Sequence, residues 1–173
     1  AVEGALSELG YHYFRVPLSP PLDRALESLS QVAADLVFNL FEGFAGRPGT
    51  EAEVADMLAK LGVAYTGCPA RAIRLCLDKA EVKGLLAANG IDSPAYRILN
   101  CKPCAAFDLR FPCIVKPRAE DASHGIGEES VVYDAGQLER QVSKIKRLFG
   151  GEALVEEYID GRELNATVIG RGE

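Results

Sequence analysis

Apolar positions along the chain change spacing several times, and each change predicts a new element. Residues 1–9 read as the end of an amphipathic helix, and 11–16 alternate, rich in aromatic side chains, as a strand would. A Pro-containing loop spans 18–21, and 22–33 return to helical spacing. Residues 35–40 form a short apolar run of the covered, parallel type. Thr50 and Glu53 have the spacing of a capping box before a helix with Val54, Met57, Leu58 and Leu61 on one face. Gly62 ends that helix, and 63–65 read as a brief strand. Residues 70–77 predict a short helix. Asp78 with Glu81 opens another, running to about Ala88 and closed by Gly90 and Pro94. Residues 96–99, 112–116 and 130–133 read as strands. Asp134 with Gln137 caps a helix whose apolar face is Leu138, Val142, Ile145, Leu148 and Phe149. Residues 153–158 form an apolar strand, Asp160-Gly161 a turn, and 163–169 alternate as a further strand.

Helices alternating with strands make the fold class α/β. The style changes near residue 67, from parallel-type α/β to strands in closer succession, so a domain boundary is expected there. The first residues show neither a basic segment nor a long apolar core, which reads as no secretory leader. The chain starts without Met, as if inside a helix, and ends in what looks like a turn, so it reads as a piece of a longer protein.

The residues 111–127 carry the densest chemistry. A short apolar run ends in Lys116, Pro117 stops it, and a small-residue loop containing Ser123, His124, Gly125 and Gly127 follows. A lysine at a strand end brings a point charge. A loop with few obstructing side chains brings backbone N–H donors, and the two together suit a polyphosphate. A solvated lysine is the plainer alternative. Ser123 has a hydroxyl to offer the same phosphates, and His124 is either a phosphate contact or simply exposed. Lys79, first residue of its helix, opposes the helix dipole, a penalty that a bound phosphate would reverse. Glu156 and Glu157 follow an apolar strand, where carboxylates can accept from an adenine amino group. Glu163 can accept from ribose hydroxyls, though a solvated hairpin explains the same acids. Glu42 and Arg47 follow the carboxyl end of the 35–40 strand, where parallel sheets bind ligands; an ammonium on Glu42 and a carboxylate or phosphate on Arg47 are one reading, and a simple strand-to-loop transition is the other.

Charge changes the picture by exclusion. In 173 residues, 25 acidic side chains outnumber 19 basic ones, for a net charge of −6, which argues against nonspecific nucleic-acid binding. No apolar run approaches a membrane span. Five cysteines without framework spacing fit a reducing cytosol, so a cytoplasmic protein is expected. Cys101 and Cys104 are read as loop thiols or half of a zinc site; no metal ligand is assigned.

The segments together resemble the ATP-grasp ligases, specifically the D-alanine–D-alanine ligase family. The run from Gly62 to Pro94 looks like the family's link into the ATP-binding domain, with Lys79 in its phosphate-contacting position. FPCIVKP with EDASHGI looks like the second lysine and the phosphate-covering loop, giving Lys116, Ser123 and Gly125. ALVEEYIDGRE looks like the adenine and ribose segment, with Glu156, Glu157, Tyr158 and Ile159 at the base and Glu163 at the ribose. DLVFNLFEGF and GRPGTEAEV look like the substrate-side loop and helix.

The resemblance implies an open parallel-sheet, Rossmann-like pre-ATP-grasp domain over 1–67. An ATP-grasp central subdomain over 68–159 and the start of the C-terminal subdomain over 160–173 would follow. It implies a ligase joining two D-alanines through an acylphosphate for peptidoglycan precursor synthesis, with ATP and an amino acid as partners and Lys116 and Ser123 as catalytic residues. Magnesium is implied too, its ligands expected beyond Glu173, so this stretch alone is expected not to turn over. A homodimer is left open. Phe41-Glu42-Gly43 stands where well-known members carry a His-Gly pair, and Ala122 where they often have serine, which keeps other amino-acid substrates in view. A nucleotide-binding module without ligase activity is the alternative from another class.

Overall fold

The computed structural model describes residues 1–44, 47–100, 107–120, 123–168 and 170. The chain divides into two compact units, Ala1–Asp78 and Lys79–Glu173. The change of style noted near residue 67 lies one helix before that division.

In the first unit, helices α1 (Val2–Glu8) and α2 (Leu22–Ser30) precede strand β1 (Leu36–Val37); α3 (Thr50–Lys60), β2 (Ala64–Tyr65) and α4 (Ala70–Leu77) follow. β1 and β2 pair in parallel, Leu36 opposite Ala64 and Val37 opposite Tyr65. Leu22 and Leu29 of α2 meet Val54 and Leu58 of α3 in one core cluster, which Val37 and Tyr65 border. A second cluster joins Ala52 and Ala55 of α3 to Ala70 of α4. Alanines at these positions let the two helices approach closely, since small side chains set the interaxial distance.

In the second unit, α5 (Lys79–Ala88) leads into β3 (Tyr96–Leu99) and β4 (Cys113–Pro117). A 3-10 turn (Glu128–Ser130), β5 (Val131–Val132), α6 (Ala135–Phe149) and β6 (Ala153–Glu157) complete it. The four strands form an antiparallel sheet in the order β3-β6-β4-β5. Strand alternation sends Cys113, Val115, Ala153 and Val155 to one face, where they are buried with Leu138, Val142 and Ile145 of α6. α6 is well delimited. The Asp134 carboxylate accepts from the Gln137 amide at 2.7 Å, and Gly150 takes the left-handed conformation (φ 67°) that ends the helix.

Several expectations need correction. Residues 11–16 form no strand and expose Tyr11, Tyr13 and Phe14; an extended segment becomes a strand only with a ladder partner, and none of the described strands lies beside it. The same holds for 163–168, where Leu164 and Val168 are exposed; Ile169 lies outside the described residues. The predicted strand over 35–40 shrinks to Leu36–Val37, because its partner β2 has only two residues. Thr50 does not cap α3. Its hydroxyl donates to the Arg47 carbonyl at 2.7 Å and accepts from the Phe44 amide at 2.9 Å, tying down the preceding loop instead. Leu148 is 56% exposed, although its spacing placed it on the buried face of α6.

The α6 face yields a stability contrast. Leu138→Ala, at a fully buried position, is expected to cost about 2–5 kcal/mol in urea denaturation. Leu148→Ala is expected to stay within about 0.5 kcal/mol of the parent. Equal losses would contradict the core described above.

Candidate functional site

The side of the antiparallel sheet away from the α6 cluster carries a chemically different set. Register places Tyr96 opposite Glu156 and Ile98 opposite Leu154 across β3 and β6. Ile114 faces Glu156, and Lys116 faces Leu154, across β4 and β6. Directly opposite residues share a face, so Lys116 and Glu156 lie diagonally on one side of two neighbouring strands. Long side chains reach across that diagonal.

They do so here. The Lys116 ammonium donates to Glu156 Oε1, and Lys83 of α5 donates to Glu156 Oε2 at 2.8 Å. Lys83 also donates to the Pro94 carbonyl at 2.9 Å, and its ammonium sits 5.2 Å from the centroid of the Tyr96 ring. Lys83 and Glu156 are buried, at 8% and 7% exposure; Lys116 is half-buried. Burial pushes the Glu156 carboxyl up. The hydrogen bonds from Lys116 and Lys83 outweigh that and hold it below its ordinary value. The carboxylate therefore contributes stability above the ordinary glutamate range, and the contribution is lost as pH falls through its depressed value. Two ammoniums and one carboxylate leave one net positive charge on the sheet face, which suits an anion.

Lys79 belongs to the same neighbourhood. Its amide donates to the Arg118 carbonyl at 3.2 Å, two residues past Lys116, and its ammonium donates to the Glu120 carbonyl. Glu120 opens the small-residue loop; Asp121 and Ala122 lie outside the described residues. Ser123 has φ 60°, a left-handed conformation that costs a non-glycine residue about 1–3 kcal/mol, and its carbonyl accepts from the Ile126 amide at 3.0 Å. His124 is exposed, its Nδ1 3.8 Å from the Glu120 carboxylate. Gly125 has φ 78°, and a Cβ built there would lie 2.6 Å from the Phe149 ring and 2.9 Å from Pro117. The loop is thus seated on the core at Gly125, which accounts for a glycine there by close packing as well as by backbone freedom.

Glu157, Tyr158, Ile159 and Glu163 of the second unit take no part in these ion pairs. Glu157 donates its amide to the Ala95 carbonyl at 3.0 Å, and Tyr158 donates to Pro112 at 3.1 Å, so the backbone of this segment is held by both flanking chains. Tyr158, Ile159 and Glu163 are exposed, and none of them joins the ion-paired group. In the first unit, the Asn39 side chain accepts from the Phe41 amide at 3.1 Å, and the Asn39 amide donates to Thr66 Oγ1 at 3.0 Å; these bonds shape the loop carrying Glu42. Glu42 and Arg47 are both exposed. Burial, helped by the Glu157 charge, pushes the Cys113 thiol up; its Sγ donates to the Arg110 carbonyl at 3.1 Å. Cys101 and Cys104 lie outside the described residues. Among the described residues no group of three or more His, Cys, Asp or Glu is arranged to hold a metal ion.

Sequence reasoning missed Lys83. It looks like a lysine on a helix surface, and nothing local distinguishes it. The available signal is its spacing: Lys79 and Lys83 are four apart in one helix and so share a face.

Residues 89–173 match the family model described as D-ala D-ala ligase C-terminus. The D-alanine–D-alanine ligase of Caulobacter sp. (strain K31) is 38% identical over 172 residues, covering 98% of this chain and 51% of that protein. The crystal structure of D-alanine–D-alanine ligase from Helicobacter pylori superposes with a TM-score of 0.58 at 29% identity, covering 73% of this chain and 39% of that one. The D-alanine–D-alanine ligase from Bacillus anthracis complexed with ATP gives a TM-score of 0.56 at 25% identity, covering 82% and 44%. The mixed α/β architecture, with a parallel pair in one unit and an antiparallel sheet in the other, is that of the ATP-grasp class. Within that class the chain is similar to the D-alanine–D-alanine ligases, by the family model over its second half and by curated relatives over nearly its whole length. It spans about half the length of the curated relatives it matches. No helix among the described residues is long and apolar enough to cross a membrane.

The seat of the loop generates a double-variant prediction. Gly125→Ala is expected to lower the melting temperature, combining a left-handed backbone penalty of about 1–2 kcal/mol with the collision at Phe149. In a Phe149→Leu background the added loss is expected to shrink. An unchanged loss there would contradict the packing account.

Proposed function

We propose that this chain forms the nucleotide-binding part of an ATP-dependent carboxylate–amine ligase acting on D-alanine. The observation that carries the reading is the meeting of Lys116 with Glu156 on one sheet face, beside a loop seated at Gly125. In such a reaction the γ-phosphoryl group passes to the carboxylate of one amino acid, and the amine of a second displaces phosphate from the acylphosphate. Most of the work is positioning and charge stabilisation.

In this reading Lys116 and Lys79 supply point charges to the phosphates. Ser123 adds a hydroxyl at the covering loop, and the strained backbone at Ser123 fits a segment that rearranges over a ligand. Gly125 gives the loop a fixed base. Glu156 accepts from the adenine amino group, with Glu157, Tyr158 and Ile159 along the base edge and Glu163 at the ribose. In the first unit, Glu42 holds an ammonium and Arg47 a carboxylate or phosphate. The domain limits inferred from the resemblance, 1–67, 68–159 and 160–173, belong to the same proposal, as do a cytoplasmic location and a role in peptidoglycan precursor synthesis.

A ligase of the same architecture joining other amino acids is the second reading. It is favoured by the exposed Glu42 in the loop that Asn39 and Thr50 hold in place.

Two measurements test the proposal together. By calorimetry on the chain, Lys116→Ala is expected to weaken ATP binding at least about tenfold, whereas Lys144→Ala, whose ammonium pairs with Glu129 on the far side of the sheet, leaves it unchanged. In the protein that carries this chain, D-alanine is expected to stimulate phosphate release from ATP. Equal affinities of the two variants would refute the nucleotide site. Stimulation by other amino acids but not by D-alanine would favour the second reading.

A further inference from the structure

The two lysines on Glu156 are held differently. Lys116 reaches it from β4, and its side chain is 24% exposed. Lys83 reaches it from α5, is 10% exposed at the side chain, and is fixed by three contacts: Glu156 Oε2, the Pro94 carbonyl and the Tyr96 ring. Pro94 lies in the segment that leads into β3, so Lys83 ties its helix both to that segment and to the central strand β6. If Lys116 serves the phosphates, as proposed above, and turns from Glu156 to do so, the carboxylate is left to Lys83. A buried carboxylate left with no cation would take up a proton and lose part of its accepting capacity.

We propose that Lys83 is the positioning residue of this site: it keeps the Glu156 carboxylate charged and aimed while Lys116 leaves it for the nucleotide. The proposal rests on the nucleotide reading of the same site. It assigns no contact between Lys83 and the nucleotide. The charged and titratable groups facing Glu156 are Lys116 from β4, Lys83 from α5 and Tyr96 from β3. Removing Lys116 alone leaves one cation in place; removing both leaves none.

Sign follows from linkage. In Lys83→Met, free Glu156 still has Lys116, but the nucleotide complex has neither lysine on it. The carboxyl then titrates higher in the complex than in the free protein, so binding takes up a proton and tightens as pH falls. Lys83→Met is accordingly expected to weaken ADP binding about tenfold at about pH 8, with the deficit narrowing toward about pH 5. Calorimetry in buffers of different ionisation enthalpy reads the proton uptake, and the difference from wild type cancels the titration of ADP itself. Lys83→Arg is expected to keep the wild-type profile. A deficit that is the same at every pH, without extra proton uptake, would overturn the proposal, as would no deficit at all.

A second readout does not need nucleotide. With carbon-13 in the glutamate carboxyls, Glu156 is expected to titrate lower in Lys116→Met, where Lys83 remains, than in Lys116→Met with Lys83→Met, where burial acts unopposed by either lysine. The same titration in the two variants would overturn the proposal, and Lys83→Gln in place of Lys83→Met keeps the comparison decisive should the latter not fold. Failure of the wild-type chain to bind ADP would sink the nucleotide reading and leave the carboxyl titration to judge Lys83 separately.

Discussion

One carboxylate between two ammoniums organises the second unit. Glu156 stands on the central strand pair of a four-stranded sheet, and its two oxygens are taken by lysines from different elements. Burying an ion is costly unless its charge and hydrogen-bonding capacity are met. Here both oxygens are met, and the surplus of one positive charge is displayed on the partly open face. The opposite face is a conventional apolar contact with α6. The sheet thus separates its tasks: stability on one side, charge on the other. Strand alternation alone accomplishes this, because Val155 and Glu156 are neighbours in sequence and face opposite ways.

Around that group the chain places small residues where backbone must come close. Gly125 lets the loop rest on Pro117 and Phe149, so the segment after β4 is anchored at its far side while Ser123 holds a strained conformation between. The Lys79 amide and ammonium both reach the chain just past Lys116, through the carbonyls of Arg118 and Glu120. Helix α5 thereby brings both its first residue and, one turn later, Lys83 to the central β4–β6 pair and the chain that follows β4. This economy of elements is consistent with a nucleotide cradle built from one helix, two strands and one loop.

Much of the fold was legible because local rules and tertiary demands agreed. The helices over 70–77 and 79–88 and the strand over 96–99 follow their hydrophobic spacing and their breakers, and Asp134 with Gln137 marks the start of α6 directly. Failures occurred where a tertiary partner decides. Residues 11–16 and 163–168 carry strand-like alternation, but alternation cannot supply a ladder. Thr50 has the right neighbour for a capping box, yet its hydroxyl is better used by Arg47 and Phe44. In the candidate site, Lys116 was visible because a proline and a small-residue loop frame it. Lys83 was not, since its significance lies wholly in Glu156, more than seventy residues on, and no local pattern reports a pairing across that separation.

Two lysines share one carboxylate, and the proposed site divides their labour: Lys116 for the nucleotide, Lys83 for Glu156. A crystal structure of the chain with a non-hydrolysable ATP analogue tests it most directly. The expected result is the Lys116 ammonium on a phosphate oxygen and Lys83 still on Glu156. An analogue bound elsewhere, or bound here with Lys116 still paired to Glu156 and Lys83 displaced, would contradict it.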